Sequence, residues 1–473
     1  MIAFIAQNMA PLMFAGLVVF LLIGYPAAFS LAAVGLFFGL IGIELGLIRA
    51  DFLGNLTYQL FGIVSNDLLL SIPFFTLMGA ILERCGLAED LLDSIGQLFG
   101  PVRGGLSYAV IFVGAILGAI TGTVAASVIA MAVIALPIMT RYGYSIRHTT
   151  GVIAASGTIT QLIPPSLVLI VLADQLGRSV GDMYKGAIGP SLIQLALFCA
   201  WVFILSIIRP QDVPALPKEA RTLQGWALWS KCLRGIIPSV GLIFLVLGTI
   251  FLGLATPTEA GALGVVGAFA LAAFNRTLTW PLVWQGMSTT MRITAFVVFI
   301  LIGARVFSLV FQGVGGKEWI EHLLSSLPGG QVGFLIFVNI FIFVIAFFLD
   351  FFEIVFIVIP LLAPVADKLG IDLIWFGVLI CANVQTSFMH PPFGFALFYL
   401  RGIAPPSVKS SDIYWGAIPW VILQLLLVVI LIFWPGSVTY WLDKGTGVDP
   451  STIKIDIPQI EIPELDFRDP GKK

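Results

Sequence analysis

Charge is what this chain has least of. Only 11% of its 473 residues are Asp, Glu, Lys or Arg, against 59% hydrophobic, and the mean hydropathy is +1.04. A soluble protein of this length could not bury so much apolar surface, so composition predicts a polytopic membrane protein. The net charge of −2 gives no sign of a nucleic-acid partner. Cysteine is scarce too: Cys85, Cys199, Cys232 and Cys381 lie scattered in apolar context, without metal or redox spacing, and read as packing residues. No Lys or Arg precedes the first apolar run, which continues past Tyr25, so a retained helix is expected there rather than a cleaved signal peptide. No Gly-Lys-Ser/Thr loop is present to hydrolyse a nucleotide, and no local signature marks a nucleophile with its base. The chain does not read as an enzyme.

What is there occurs twice. Pro137, Gly143, Pro164 and Pro165 reappear 227 positions later as Pro364, Gly370, Pro391 and Pro392. After a three-residue insertion, DMYKGAI at Asp182–Ile188 reappears as DIYWGAI at Asp412–Ile418. These matches predict a duplicated membrane unit with a helix broken at Pro-Pro in each half.

A helix needs roughly 20 apolar residues to span the hydrocarbon core. Such runs lie near 8–25, 27–46, 67–85, 147–177 and 187–208, and again near 235–254, 257–275, 292–313, 371–400 and 414–434. Shorter mixed segments at 51–65, 88–99 and 318–327 resemble interfacial arms. Segments 105–138 and 331–365 have two apolar arms around a polar tip and predict re-entrant hairpins; in the first, neither arm alone looks long enough to cross. The expected architecture is all-α: a first repeat at 1–208, a cytoplasmic linker at 209–234, a second repeat at 235–438 and an extramembrane acidic tail at 439–473. Five crossings per half make the repeat inverted. Thirteen Lys and Arg then fall on the linker side against five opposite, the tail aside, which places both termini outside the cytoplasm.

Before each Pro-Pro stands a polar run: Ser156, Gly157, Thr158, Thr160 and Gln161 in one half, and Asn383, Gln385, Thr386 and Ser387 in the other. Two prolines remove backbone donors and free carbonyls at membrane depth. Hydroxyls and freed carbonyls suit a dehydrated Na+ beside an organic substrate. The plainer alternative is a kinked helix whose hydroxyls bond back to their own backbone. Asp350 stands where the second hairpin should turn, to cap the next half-helix or to hold a cation. Arg305 is the one basic residue inside a span, to attract an anion or to pair with Asp350, Glu353 or Glu259. His390, before the second Pro-Pro, is placed to donate to substrate, to titrate, or simply to pack.

SIPFFTLMG at Ser71–Gly79, AITGT at Ala119–Thr123, LIPPS at Leu162–Ser166, ATPTEAGALGVV at Ala255–Val266, FFLD at Phe347–Asp350 and HPPFGFALFYLRGIAP at His390–Pro405 resemble the large membrane subunit of tripartite ATP-independent periplasmic (TRAP) transporters. The likeness covers nearly the whole chain up to the tail, and QTSFMHPPFGFALFYLRG resembles the branch associated with mannitol and chloroaromatic compounds. It implies an elevator-type importer in the bacterial inner membrane, coupled to Na+, taking a small organic anion such as a 2-oxo acid, lactate or a C4-dicarboxylate. The implied partners are a periplasmic solute-binding protein and a small four-helix membrane subunit. No cofactor is implied beyond the coupling ion, and H+ stays open beside Na+. One Na+ site would use Thr121, Thr123, Ser127, Thr160, Ile163 and Pro165, some through backbone carbonyls; the other, whose geometry also depends on carbonyls, would use Ala346, Asp350, Ser387, His390 and Phe393. Relatives often carry Gly where this chain has Thr160, Ala346 and Ser387, and Thr where it has His390. A self-sufficient cation-coupled carboxylate carrier of the same fold is the alternative. A membrane enzyme or an assembly scaffold would need a catalytic set that the chain lacks, or would leave the duplication without a use.

Overall fold

The computed structural model describes residues 2–223, 225–325 and 327–442; the tail expected to be solvated lies outside this range from residue 443 on. Among the described residues every regular element is helical. Seven helices are long and apolar enough to cross a membrane, and one further bent pair, Ala50–Val64 with Asp67–Glu83, passes when taken together.

Eight of the ten predicted spans each fall on one helix and the other two on a broken pair, and several helices are longer than their apolar cores. The run expected at 235–254 belongs to Gly225–Phe251, which takes in the end of the expected linker, and the run at 292–313 belongs to Trp280–Gly313. Hydropathy marks only the part that needs lipid, whereas backbone hydrogen bonding carries a helix on into polar turns. The linker is also less free than its composition implied. Val213 and Leu216 are buried, and backbone bonds from Gly104 to Val213, Ser145 to Asp212 and Leu216 to Gly100 pin it to the base of the first hairpin.

The first hairpin joins Gly105–Thr121 to Val124–Arg141 through Gly122 and Thr123. Gly122 has φ +63°, a left-handed conformation that a side chain resists and that lets the chain reverse in two residues. The second arm has 18 residues and mean hydropathy 2.0, so by length it could cross, contrary to the expectation that neither arm could. The second hairpin joins Gly330–Ile345 to a helix that starts at Phe351, loosens into a π turn at Ile354–Val358 and continues as Ile359–Lys368.

Both broken helices break where the prolines predicted. Ile146–Thr158 runs through a 3-10 turn into Pro164-Pro165 and resumes as Leu167–Leu176. Leu373–Val384 runs through a 3-10 turn into Pro391-Pro392 and resumes as Phe395–Ile403. Both Pro-Pro peptide bonds are cis.

The repeats interlock by exchanging half-helices. The first hairpin shares a core with the early half of its own broken helix and with Ala396, Leu397 and Leu400 from the late half of the other. The second hairpin shares a core with Leu373–Val384 and with Leu167–Leu176. In the same buried cluster, Ala27–Glu44 packs on Trp280–Gly313 through small residues: a Cβ on Gly303 would lie 2.4 Å from the Ala28 carbonyl oxygen.

Candidate functional site

The interlock brings each hairpin tip against the break in its own repeat's helix. In the first repeat, Thr121 and Ser127 hydroxyls lie 2.8 Å apart, and the Thr160 hydroxyl lies 3.1 Å from Ser127 and donates to the Gly157 carbonyl at 2.6 Å. All three side chains are buried. Close approach is enforced by glycine: a Cβ on Gly79 would sit 2.3 Å from the Thr121 carbonyl oxygen, and one on Gly118 would sit 2.8 Å from the Thr160 hydroxyl. The SIPFFTLMG segment is thus the backstop of the hairpin tip. Thr123 stands outside this cluster, and Pro165 is buried while Ile163 is half-buried in the break beside it. Two freed carbonyls in the break find local donors, Gln161 from Ser166 and Leu162 from Ser191.

The equivalent place in the second repeat is chemically different. Thr121, Ser127 and Thr160 correspond, 227 positions on, to Phe348, Ile354 and Ser387. The Ser387 hydroxyl and both His390 ring nitrogens are buried without a hydrogen-bond partner among the described residues. The imidazole is held between Phe343 and Phe347, each with its ring centroid 4.2 Å away. Ala346 is buried beside the turn and Phe393 is half exposed. A hard cation seeks several oxygens; the first cluster supplies three hydroxyls, whereas the second supplies one hydroxyl, an imidazole and aromatic faces. The side-chain oxygens present fit Na+ in the first repeat, whereas in the second a cation would have to rely on backbone carbonyls.

Asp350 caps the next helix. Its carboxylate accepts from the Glu353 amide at 2.8 Å, and the Glu353 carboxylate accepts from the Asp350 amide at 3.0 Å, a reciprocal capping box. Glu259 closes the same kind of box with Thr256. Among the described residues Arg305 makes no ion pair with these carboxylates; it faces a separate cavity of about 260 Å³ beside Tyr58, Gln59 and Asn66, outside the hairpin site. Its helix turns it toward the interfacial arm, a rotation that sequence position alone could not specify.

Between the tips lies a cavity of about 460 Å³. Four helices begin on its wall, with first residues Val124, Leu167, Phe351 and Phe395. Ser166 and Asp350 cap two of them with side chains; Thr123 and Gly394 make no side-chain cap, so those helices present free N–H groups. Convergent helix N-termini attract anions. Of the polar-run candidates only Gln161 lines this cavity.

The other candidates are internal ties. Ser156 donates to Ile153 and packs on Gly114, and Gly157 lies against Val128. Asn383 donates to Asn339, and Thr386 donates to the Asn383 carbonyl. Thr158 receives the Gln424 amide at 2.9 Å, and Gln385 donates to Gln194 at 3.0 Å. Those last two contacts are one contact seen twice, since Thr158 and Gln385 are 227 apart and Gln194 and Gln424 are 230 apart. Each broken helix is tied to the helix following the other. Sequence reasoning passed over Gln194 and Gln424, although each stands 12 residues beyond the Asp of its repeated motif.

A helix-only fold with paired hairpins and paired breaks can be set beside known proteins. A family model for "Tripartite ATP-independent periplasmic transporter, DctM component" matches residues 14–437. The chain belongs to this family. It is therefore a multi-pass membrane transport protein and not an enzyme. It is similar to the C4-dicarboxylate TRAP transporter large permease DctM of Pseudomonas aeruginosa, 29% identical over 82% of this chain and 89% of that one. It is also similar to the 2,3-diketo-L-gulonate TRAP transporter large permease YiaN of Escherichia coli, 28% identical over 78% and 84%. A third relative is the ectoine/5-hydroxyectoine TRAP transporter large permease UehC of Ruegeria pomeroyi, 28% identical over 90% and 97%. Among solved structures the fold resembles the Alcanivorax borkumensis YdaH transporter, with TM-score 0.58 at 17% identity over 82% and 90% of the two chains. The relatives' names differ in substrate, so membership selects neither a substrate nor the mannitol and chloroaromatic branch.

Proposed function

We propose that this chain is the permease of a secondary-active importer that takes a small organic anion from a periplasmic binding protein, works beside a small four-helix membrane subunit, and draws on a Na+ gradient. The observation that carries the Na+ assignment is the mutual approach of Thr121, Ser127 and Thr160, three buried hydroxyls from a hairpin tip and a helix break. The anion follows from the helix N-termini that open on the adjoining cavity. A cation at the first cluster would hold the tip against the break and so shape the near wall of that cavity, coupling ion to substrate through Gly122 and Thr123. An elevator motion, carrying hairpins and broken helices together, is consistent with the interlock, because the exchanged half-helices cannot separate without exposing both cores. The second repeat's pocket takes no part in this scheme as a Na+ site.

Uptake into proteoliposomes holding this protein and its small partner tests the reading. Radiolabelled 2-oxo acids, lactate or dicarboxylates would be offered on a loaded binding protein, with Na+ and H+ gradients imposed separately. Uptake that requires both Na+ and the binding protein is expected. Uptake of free substrate without the binding protein would replace it with a self-sufficient carrier, and uptake driven by H+ alone would remove the Na+ role.

A further inference from the structure

Arg305 stands within the apolar run LIGARVF of a membrane-crossing helix, and the fold gives its charge nothing to hold. Among the described residues its guanidinium makes no hydrogen bond and no ion pair. It lies eight residues before Gly313, the last of its helix, or about 12 Å inside that end. A charge at such depth calls for a counter-charge and hydrogen-bond acceptors. The carboxylate adjoining the cavity, Asp174, is already engaged. Asn66, on the cavity wall, donates to one of its oxygens at 2.7 Å, and Gln175 donates to the other at 2.7 Å. Across the 260 Å³ cavity stand Tyr58 and Gln59, exposed residues of the arm Asn55–Val64, whose side chains likewise have no partner among the described residues. The rest of the wall is apolar, with Ile63 and Leu301, and the neighbouring arm residues Phe61 and Val64 are exposed.

We infer that this cavity binds the phosphodiester of a membrane glycerophospholipid, whose acyl chains lie along the apolar side of the arm. A guanidinium meets phosphate oxygens with two parallel N–H donors, and the single charge of a phosphodiester matches the single charge of Arg305. The Tyr58 hydroxyl and the Gln59 amide supply donors for the remaining oxygens. The Asp174 charge behind Asn66 counts against a dianion, so free phosphate fits less well. Free phosphate also gains nothing from Ile63 and Leu301, whereas a lipid brings chains that cover the exposed Phe61 and Val64. Position agrees with chemistry: interfacial arms lie at the level of the headgroups, and basic pockets between membrane helices take headgroup phosphates. The site is separate from the cavity between the hairpin tips, and its occupancy is measured as binding, apart from transport.

The full-length chain, delipidated in detergent, would be titrated with phosphatidylglycerol, with diacylglycerol of the same acyl chains and with inorganic phosphate. Native mass spectrometry would count bound molecules, and thermal unfolding would follow the affinity. Phosphatidylglycerol is expected to bind saturably and at least about tenfold more tightly than either other probe. Arg305→Gln is expected to weaken it about tenfold. Gln59→Glu, which sets a carboxylate on the exposed arm against the phosphate, is expected to do the same without disturbing the core. That second variant keeps the site testable where Arg305→Gln does not fold. Arg103→Gln, at an exposed turn outside the cavity, should leave binding within about twofold. Equal weakening by Arg103→Gln would reduce the effect to a general attraction between basic residues and acidic lipid, and unchanged binding in Gln59→Glu would remove the cavity from it. Diacylglycerol binding as tightly would make the space an apolar groove, and inorganic phosphate binding as tightly would make it a site for a free anion. Any of these results, or the absence of saturable binding, overturns the lipid assignment.

Discussion

The two hairpin tips occupy equivalent places in the two copies of the repeat and have diverged in what they offer. Around the first, hydroxyls answer one another: Thr121 to Ser127, and Ser127 to Thr160. Around the second, Phe348 and Ile354 stand at the matching positions, Ser387 is left alone, and His390 is shut between two phenylalanine rings. The helix starts differ in the same sense, since Thr123 leaves its helix uncapped and Asp350 closes a capping box. One backbone plan thus carries an ion-type cluster and an open N-terminus on one side, and an aromatic wall with an occupied N-terminus on the other. Duplication conserves the breaks because prolines set the backbone; side chains around each break were free to specialise.

The comparison breaks most completely at Gly79. Gly79→Ala puts a Cβ where only the Thr121 carbonyl fits, and overpacking against backbone is expected to cost about 1–3 kcal/mol. Loss of Na+-dependent uptake together with a lower unfolding temperature would confirm the backstop; an unchanged variant would show that the tip is not held there. Next comes the split between sites. Thr160→Ala is expected to raise the Na+ concentration for half-maximal uptake about tenfold, the equivalent of about 1.4 kcal/mol, with folding little changed. Ser387→Ala, which removes a hydroxyl that has no partner, is expected to leave it within about twofold. Equal effects would make the sites alike after all.

The cross-repeat ties bear on stability and leave Na+ affinity alone, and the difference between them is smaller. Gln194→Leu leaves the Gln385 amide without its acceptor and should cost about 1–3 kcal/mol in denaturant unfolding. Gln424→Leu should cost less, about 1 kcal/mol, because Thr158 keeps its bond to the Ala155 carbonyl. The least effect is expected at the interfacial arm. Partial burial pulls the Asp93 carboxyl upward, but hydrogen bonds from Lys231 and Gln97 and the Lys231 charge outweigh it and leave its pKa below the ordinary aspartate value. A carboxyl with a lowered folded pKa stabilises fully above its unfolded pKa, and that contribution is lost as pH falls through the folded one. Asp93→Asn should therefore cost at most about 1 kcal/mol at neutral pH, given the exposure of the pair, and nothing in strong acid. A mutant deficit that grew on acidification would contradict this.

The sequence by itself determined the membrane character, the repeat, both hairpins and both breaks. Those features depend on local chemistry: apolar length, the proline's missing donor, and the glycine that reverses the chain at Gly122. It also marked Thr121, Ser127 and Thr160 through the family likeness, and the fold does bring those three together. Tertiary structure alone decided which polar residues face the cavity. Ser156, Thr158, Asn383, Gln385 and Thr386 have the same composition and spacing as a binding run, yet they tie helices together, while Gln161 points inward and Arg305 points away. Phe388 became cavity wall because the second repeat's broken helix packs against the first hairpin. A side chain's role in a buried bundle depends on which face of the helix meets which neighbour, and here that neighbour comes from the other half of the chain, more than 200 residues away.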